Sequence, residues 1–196
     1  MSGLLIEGER QIGKSHLLHE VLSKSGKSYG GYYVQRVMCE GKNYGFAIQK
    51  LTAGIPIQLT VDRSQVHTKN LFIYAEGEQR IVAQHCFDAV AIEALEEAVK
   101  RKTDVIVLDE LGGVELLSAD FCDTLKSVLL HQNIVGTFKQ DDNLSEIQRR
   151  AGLSEVRLKE EREKLKKWLV LCNVQVITLA EQNRQTVKGV LRDYLV

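Results

Sequence analysis

The chain has no surplus of either charge. Its 26 lysines and arginines are matched by 26 aspartates and glutamates, and the formal net charge is zero. No global field therefore draws it to nucleic acid or to an anionic membrane, although that balance leaves room for a local basic patch. No apolar run approaches the roughly 20 residues that span a bilayer. There is no C-x-x-C pair: Cys39, Cys86, Cys122 and Cys172 are far apart, and they read as reduced thiols filling a core. No secretory signal precedes the first motif, so the expected location is the cytoplasm. Internal repeats and low-complexity tracts are absent too. Proline occurs once, at Pro56, and with Gly54 it marks a turn. A length of 196 residues suits one domain, 1–196, large enough to bury a core without staples.

What is present is organised around residues 4–18, LLIEGERQIGKSHLL. Leu4, Leu5 and Ile6 read as the end of a buried strand. Gly8 opens a loop of Glu9, Arg10, Gln11 and Ile12, closed by Gly13-Lys14-Ser15. His16 follows, and Leu17, Leu18 and Val21 then recur at helical spacing. This is the phosphate-binding pattern G-x-x-x-x-G-K-[ST], the Walker A motif, between a strand and a helix. Glycines let several backbone N–H groups converge on one anion, and the helix N-terminus adds its partial positive charge. Lys14 is placed to reach the outer phosphates and Ser15 to ligate Mg²⁺. The bland alternative is a tight turn with an incidental lysine. Arg10 can lie over a phosphate or point to solvent.

Residues 32–38 and 43–51 read as a β-hairpin, with Tyr44, Phe46 and Ile48 on one side of its second strand. Short strands are expected at 57–61 and 71–75, the latter paired with 80–84. A helix is expected at 89–100. Residues 104–110, DVIVLDE, form an apolar run bounded by charge, as a central parallel strand does. A helix capped by Ser118, a strand at 134–138, a short helix at 143–150, a strand at 174–179 and a helix at 181–194 complete the pattern. Residues 154–169 are heavily charged with a thin stripe of Leu158, Leu165, Trp168 and Leu169. They suit a helix lying on the domain surface, or a mobile lid or partner-docking helix. The alternation implies an α/β fold with a mostly parallel central sheet flanked by helices, and hairpin strands added antiparallel at one edge. His16 and His19 sit at i, i+3. With no further ligand nearby in sequence they read as helix-surface residues.

The strand ending in Asp109-Glu110 is the second chemical signal, a Walker B pattern. The first acid would serve Mg²⁺ and the second would orient the attacking water. Glu115 is a candidate third carboxylate, and a solvated loop glutamate otherwise.

On these motifs the chain resembles a small nucleoside-triphosphatase family, of thermophilic archaeal and bacterial type with a human cancer-related relative, within the P-loop NTPases. The resemblance covers nearly the whole chain. It runs through residues 8–15, the hairpin GYYVQRVMCEGKNYGFAI at 31–48, DELGGVEL at 109–116, Val135-Gly136-Thr137, and Asn183-Arg184. It implies an Mg²⁺-dependent enzyme converting nucleoside 5′-triphosphates (ATP, GTP and others) to diphosphates with loose base selectivity. By position, Lys14 and Ser15 would hold phosphate and metal, Asp109 the metal and Glu110 the water, while Asn183 and Arg184 would lie by the nucleotide.

The chain departs from the family pattern at four residues and in one segment. Met38 stands where the family hairpin has an arginine, with Arg36 two residues earlier on the same strand face as the candidate substitute. Lys42 replaces a second arginine, Lys139 a histidine and Ala180 a threonine. The helical segment near 151–170 looks like a charged insertion. Two other functions remain alongside hydrolysis. One is a phosphotransferase of nucleotide- or polynucleotide-kinase type; the other is a non-enzymatic nucleotide-dependent switch or adaptor. Nothing in the sequence specifies an oligomer.

Overall fold

The apolar runs of the sequence are buried on both faces, and they become the parallel centre of a sheet. In the computed structural model, residues 3–52, 54–140 and 154–195 are described; the helix expected at 143–150 lies outside them. The elements are β1 (Gly3–Gly8), α1 (Lys14–Leu22), β2 (Tyr29–Cys39), β3 (Lys42–Lys50), β4 (Thr60–Asp62), β5 (Leu71–Glu76) and β6 (Gln79–Val82). They continue with α2 (Gln84–Lys100), β7 (Val105–Leu111), α3 (Ala119–His131), β8 (Ile134–Phe138), α4 (Glu155–Leu171), β9 (Val174–Leu179) and α5 (Arg184–Leu195). The sheet order is β6-β5-β3-β2-β7-β8-β1-β9. The five strands from β2 to β9 pair in parallel, and β3, β5 and β6 extend one edge antiparallel.

The sheet carries a core on each face. On one, Phe87, Ala91 and Leu95 of α2, Phe121 and Leu125 of α3, and Leu158 and Leu165 of α4 pack together. On the other, Leu17, Leu18 and Val21 of α1 meet Val187 and Leu191 of α5. Helix α2 starts at Gln84, ahead of the expected residue 89, because Phe87 extends the buried stripe by a turn. Ser118 caps α3 by accepting from the Phe121 N–H, as expected. No described helix is long and apolar enough to cross a membrane.

Two expectations change. The strand expected at 57–61 is shorter and later: only Thr60–Asp62 pairs, alongside Arg36–Met38 of β2. Tyr44 does not share a face with Phe46. Val37 pairs with Gly45 but Met38 pairs with Asn43, so Tyr44 is the extra residue of a β-bulge. The bulge turns its ring into the cluster around Val37 and Val61, while Phe46 packs on the α2 side. Helix α4 lies on the domain with its thin stripe inward: Leu158 and Leu165 are 0 % exposed and Leu169 2 %. Half-buried Trp168 lies under the Lys126 ammonium, 4.4 Å from its ring centroid.

The fold positions the site through β2. At its start, Gly31 has φ +109, and a Cβ there would collide with the Val107 carbonyl. That closeness lets β2 lie parallel to β7 over Tyr29–Tyr32. Beyond Tyr32, β2 runs on past the carboxyl end of the sheet, where ligands bind in such folds.

Candidate active site

The phosphate loop leaves β1 at Gly8 and enters α1 through Gly13, whose left-handed φ of 90° caps the helix. Lys14 is buried at the first turn. Its Nζ donates to the carbonyls of Gly8, at 2.9 Å, and Glu9, at 3.0 Å. Burial lowers the Lys14 pKa from its ordinary value, and the nearby Glu110 and Asp109 carboxylates pull it back upward. Glu9, Arg10 and Gln11 are exposed and Ile12 is half-buried. Arg184, at the start of α5, donates to the Ile12 carbonyl at 3.0 Å and packs against Gly13. It braces the loop at Ile12 and Gly13. Asn183 is engaged in the β9–α5 turn: its carbonyl oxygen accepts from the Ala180 N–H, and its amide donates to the Thr178 carbonyl, each at 2.8 Å.

Both acids reach the site because β7 bulges. Leu108 pairs with Gly136 and Leu111 with Phe138, so Asp109 and Glu110 together oppose the single residue Thr137. Glu110 takes a left-handed φ of 60°, a costly conformation for a residue with a Cβ. Thr137, fully buried, pins the bulge. Its hydroxyl donates to Asp109 Oδ1 at 2.8 Å and accepts from the Glu110 N–H at 2.7 Å. Asp109 Oδ1 also accepts from the Ser15 hydroxyl at 2.9 Å, and Oδ2 from the Val34 N–H at 3.1 Å. The carboxylate thus ties α1, β2 and β8 to the end of β7. Thr137→Val keeps the shape but strips both bonds. It is expected to cost about 1–3 kcal/mol of unfolding free energy, measured by urea denaturation, with turnover lowered as the bulge relaxes.

A cavity of about 190 Å³ opens on this corner. Its lining includes Gln11, Lys14, Ser15 and His16 from the loop and α1, Glu110 from β7, and Arg36, Phe46, Leu59 and Thr60 from β2, β3 and the segment of β4. Arg36 reaches it because β2 overhangs the sheet: its backbone is paired to Phe46 on one side and Thr60 on the other. Its Nε is buried and has no hydrogen-bond partner among the described residues. Lys42, the other cation of the hairpin, is exposed near the turn and does not line the cavity. A second cavity, on the other side of the loop, is lined by Arg10, Ile12, Gln140, Thr178 and Gln182 among others.

Glu110 keeps 34 % of its side-chain surface open, toward the cavity. Burial raises its pKa, and the Lys139 ammonium, 3.9 Å from Oε2, is the main force lowering it again. Glu115 is not a solvated loop glutamate. It is 1 % exposed, and its Oε1 accepts from the N–H groups of Gly112 and Gly113, each at 2.6 Å. It shapes the turn after Glu110 from inside. Its other oxygen lies 3.9 Å from Lys139 Nζ.

The two histidines of α1 part company. His16 is exposed at the cavity rim, whereas His19 is 7 % exposed and sits edge-on to Tyr33, centroids 5.8 Å apart. The reading of both as surface residues is corrected for His19, because i+4 from Ser15 lies on the inward stripe of this short helix. Burial lowers its pKa. Among the described residues no group of three or more His, Cys, Asp or Glu is arranged to hold a metal. The hard oxygen donors available are Ser15 Oγ and Asp109 Oδ1. That pair suits a small cation that keeps waters and phosphate oxygens as its other ligands.

Two residues of this site went unassigned in the sequence. Thr137 carried a signal, a hydroxyl at the end of an apolar strand. So did Arg162, a cation at i+4 from Leu158 and i−3 from Leu165, within a buried stripe.

The chain matches the model of a family described as NTPase over residues 3–190. It is 28 % identical over 154 residues to nucleoside-triphosphatase THEP1 of Methanocaldococcus jannaschii, covering 72 % of this chain and 85 % of that protein. It is 30 % identical over 141 residues to the cancer-related nucleoside-triphosphatase homolog of Mus musculus, covering 67 % and 71 %. The crystal structure of THEP1 from the hyperthermophile Aquifex aeolicus superposes with a TM-score of 0.64 at 22 % identity, over 100 % of this chain and 99 % of that one. The shared fold is that of the P-loop NTPases, and the match to the family model spans most of the chain: it belongs to the NTPase family.

Proposed function

We propose that this chain hydrolyses nucleoside 5′-triphosphates to the diphosphate and phosphate, with Mg²⁺ and little selectivity for the base. The observation that carries the reading is one cavity on which Lys14, Ser15, Glu110 and Arg36 converge. The loop amides and Lys14 bind the β- and γ-phosphates. Water attacks the γ-phosphorus in line, and the bond to the β–γ bridging oxygen breaks. Glu110 orients that water and draws on its proton; Arg36 and Lys14 meet the negative charge on the transferring group. Mg²⁺, held by Ser15 and with Asp109 behind it, would neutralise phosphate charge. The two acids share one bulge, so metal binding and water activation are set by one piece of backbone. The four free thiols fit a reducing cytoplasm.

The test is phosphate release from a panel of ribo- and deoxyribonucleoside triphosphates, with Mg²⁺ or a chelator, beside Lys14→Ala. Turnover of several bases is expected, abolished by the chelator and by the variant. Nucleotide binding without phosphate release would sink the reading and turn attention to an acceptor other than water.

A further inference from the structure

Helix α4 buries a stripe of Leu158, Arg162, Leu165 and Leu169. A fourth leucine would fill the gap more cheaply, since a buried cation loses its hydration. Arg162 is nonetheless only 3 % exposed. Its guanidinium lies over the Phe138 ring, 4.9 Å from the centroid. One nitrogen donates to the Gly112 carbonyl and the other to the Lys139 carbonyl, the latter at 2.8 Å.

Those two acceptors are the segments that meet at Glu110. Gly112 lies two residues beyond it, in the turn that follows. Lys139 carries the ammonium 3.9 Å from its carboxylate. Gly112 is therefore held on both sides: its N–H donates to Glu115 from within the turn, and its carbonyl accepts from Arg162 of α4. Glu110 itself sits at φ +60, a conformation that persists only when its surroundings dictate it.

We infer that Arg162 is a positioning residue for hydrolysis, fastening the Gly112 turn and the Lys139 backbone so that the Glu110 carboxylate is held for the attacking water. This rests on the hydrolase reading above. Arg162 does not line the cavity, so its effect passes through Glu110. The planar fork is what spans two carbonyls on separate segments; an ammonium reaches one.

The experiment compares wild type, Arg162→Met and Arg162→Lys by steady-state ATP hydrolysis with Mg²⁺, equilibrium nucleotide binding and thermal unfolding. Methionine fits the apolar stripe, so R162M is expected to melt cooperatively. Its kcat per folded molecule should fall about 10²-fold, with KM and nucleotide affinity within about threefold of wild type. R162K should recover part of the loss. A purely structural arginine would change the melting temperature or the folded fraction and leave kcat per folded molecule alone. Wild-type kcat in R162M therefore overturns the inference, as does a loss of nucleotide affinity that matches the loss of rate. Should R162M fail to fold, R162K decides on the same criteria. A wild-type protein without turnover removes the hydrolase reading and this inference together; an active wild type with unchanged variants removes the inference alone.

Discussion

Arg36→Ala is expected to lower kcat for nucleoside triphosphate hydrolysis about 10³-fold, the scale of an arginine that meets the γ-phosphoryl group. Nucleotide affinity should change far less, because Lys14 and the loop amides bind phosphate without it. The family's hairpin position is Met38 here, yet a cation still lines the cavity. Arg36 lines it together with Lys14 and Glu110. Its Nε is buried with no partner among the described residues, an unmet donor on a side chain that lines the cavity. Arg36→Lys should keep most of the defect, since charge without the planar fork cannot bind two oxygens at once. Single-turnover phosphate release, with nucleotide binding measured beside it, separates the two effects. An alanine variant within about threefold of wild type would show that Arg36 is not the γ-phosphate arginine.

Glu110→Gln is expected to reduce kcat by about 10² to 10⁴-fold, the range for losing a positioned general base. Nucleotide binding should survive, because Ser15, Asp109 and Lys14 are untouched. Glutamine preserves the length of the side chain and the backbone bond to Thr137. What disappears is the negative charge that Lys139 faces. Hydrolysis at the wild-type rate in this variant would assign the water to another group. Substitution of Asp109 would be a poorer probe: it would also strip partners from Ser15, Val34 and Thr137.

Most of the fold was legible because its segments are strongly patterned. The runs at 4–6, 105–108 and 134–138 allow only buried strands, and the phosphate loop orders them. The parts that were not legible depend on pairing. Alternation put Tyr44 beside Phe46, but a bulge inserted at Gly45/Asn43 reverses the parity, and nothing local announces it. The same applies to the acids. On a regular strand successive side chains point to opposite faces, so Asp109 and Glu110 would part. The strand runs on to Leu111, and the bulge opposite Thr137 brings both acids to the site. Glu115 read as a solvated loop residue because its partners are backbone N–H groups, which sequence does not display. The contact of Arg184 with the phosphate loop was not legible either, because it runs to a backbone carbonyl 172 residues away in sequence.

The arginine of this site rides on a strand that belongs to the central sheet. Arg36 is laddered to Phe46 on one flank and to Thr60 on the other, a few residues beyond the stretch paired to β7. Swinging it aside would tear two rows of hydrogen bonds at once. The wall of the pocket that carries Arg36 is therefore anchored backbone, paired on both flanks. On the hydrolase reading, no closing segment has to carry this cation in: the strand that bears it is in place before a nucleotide binds.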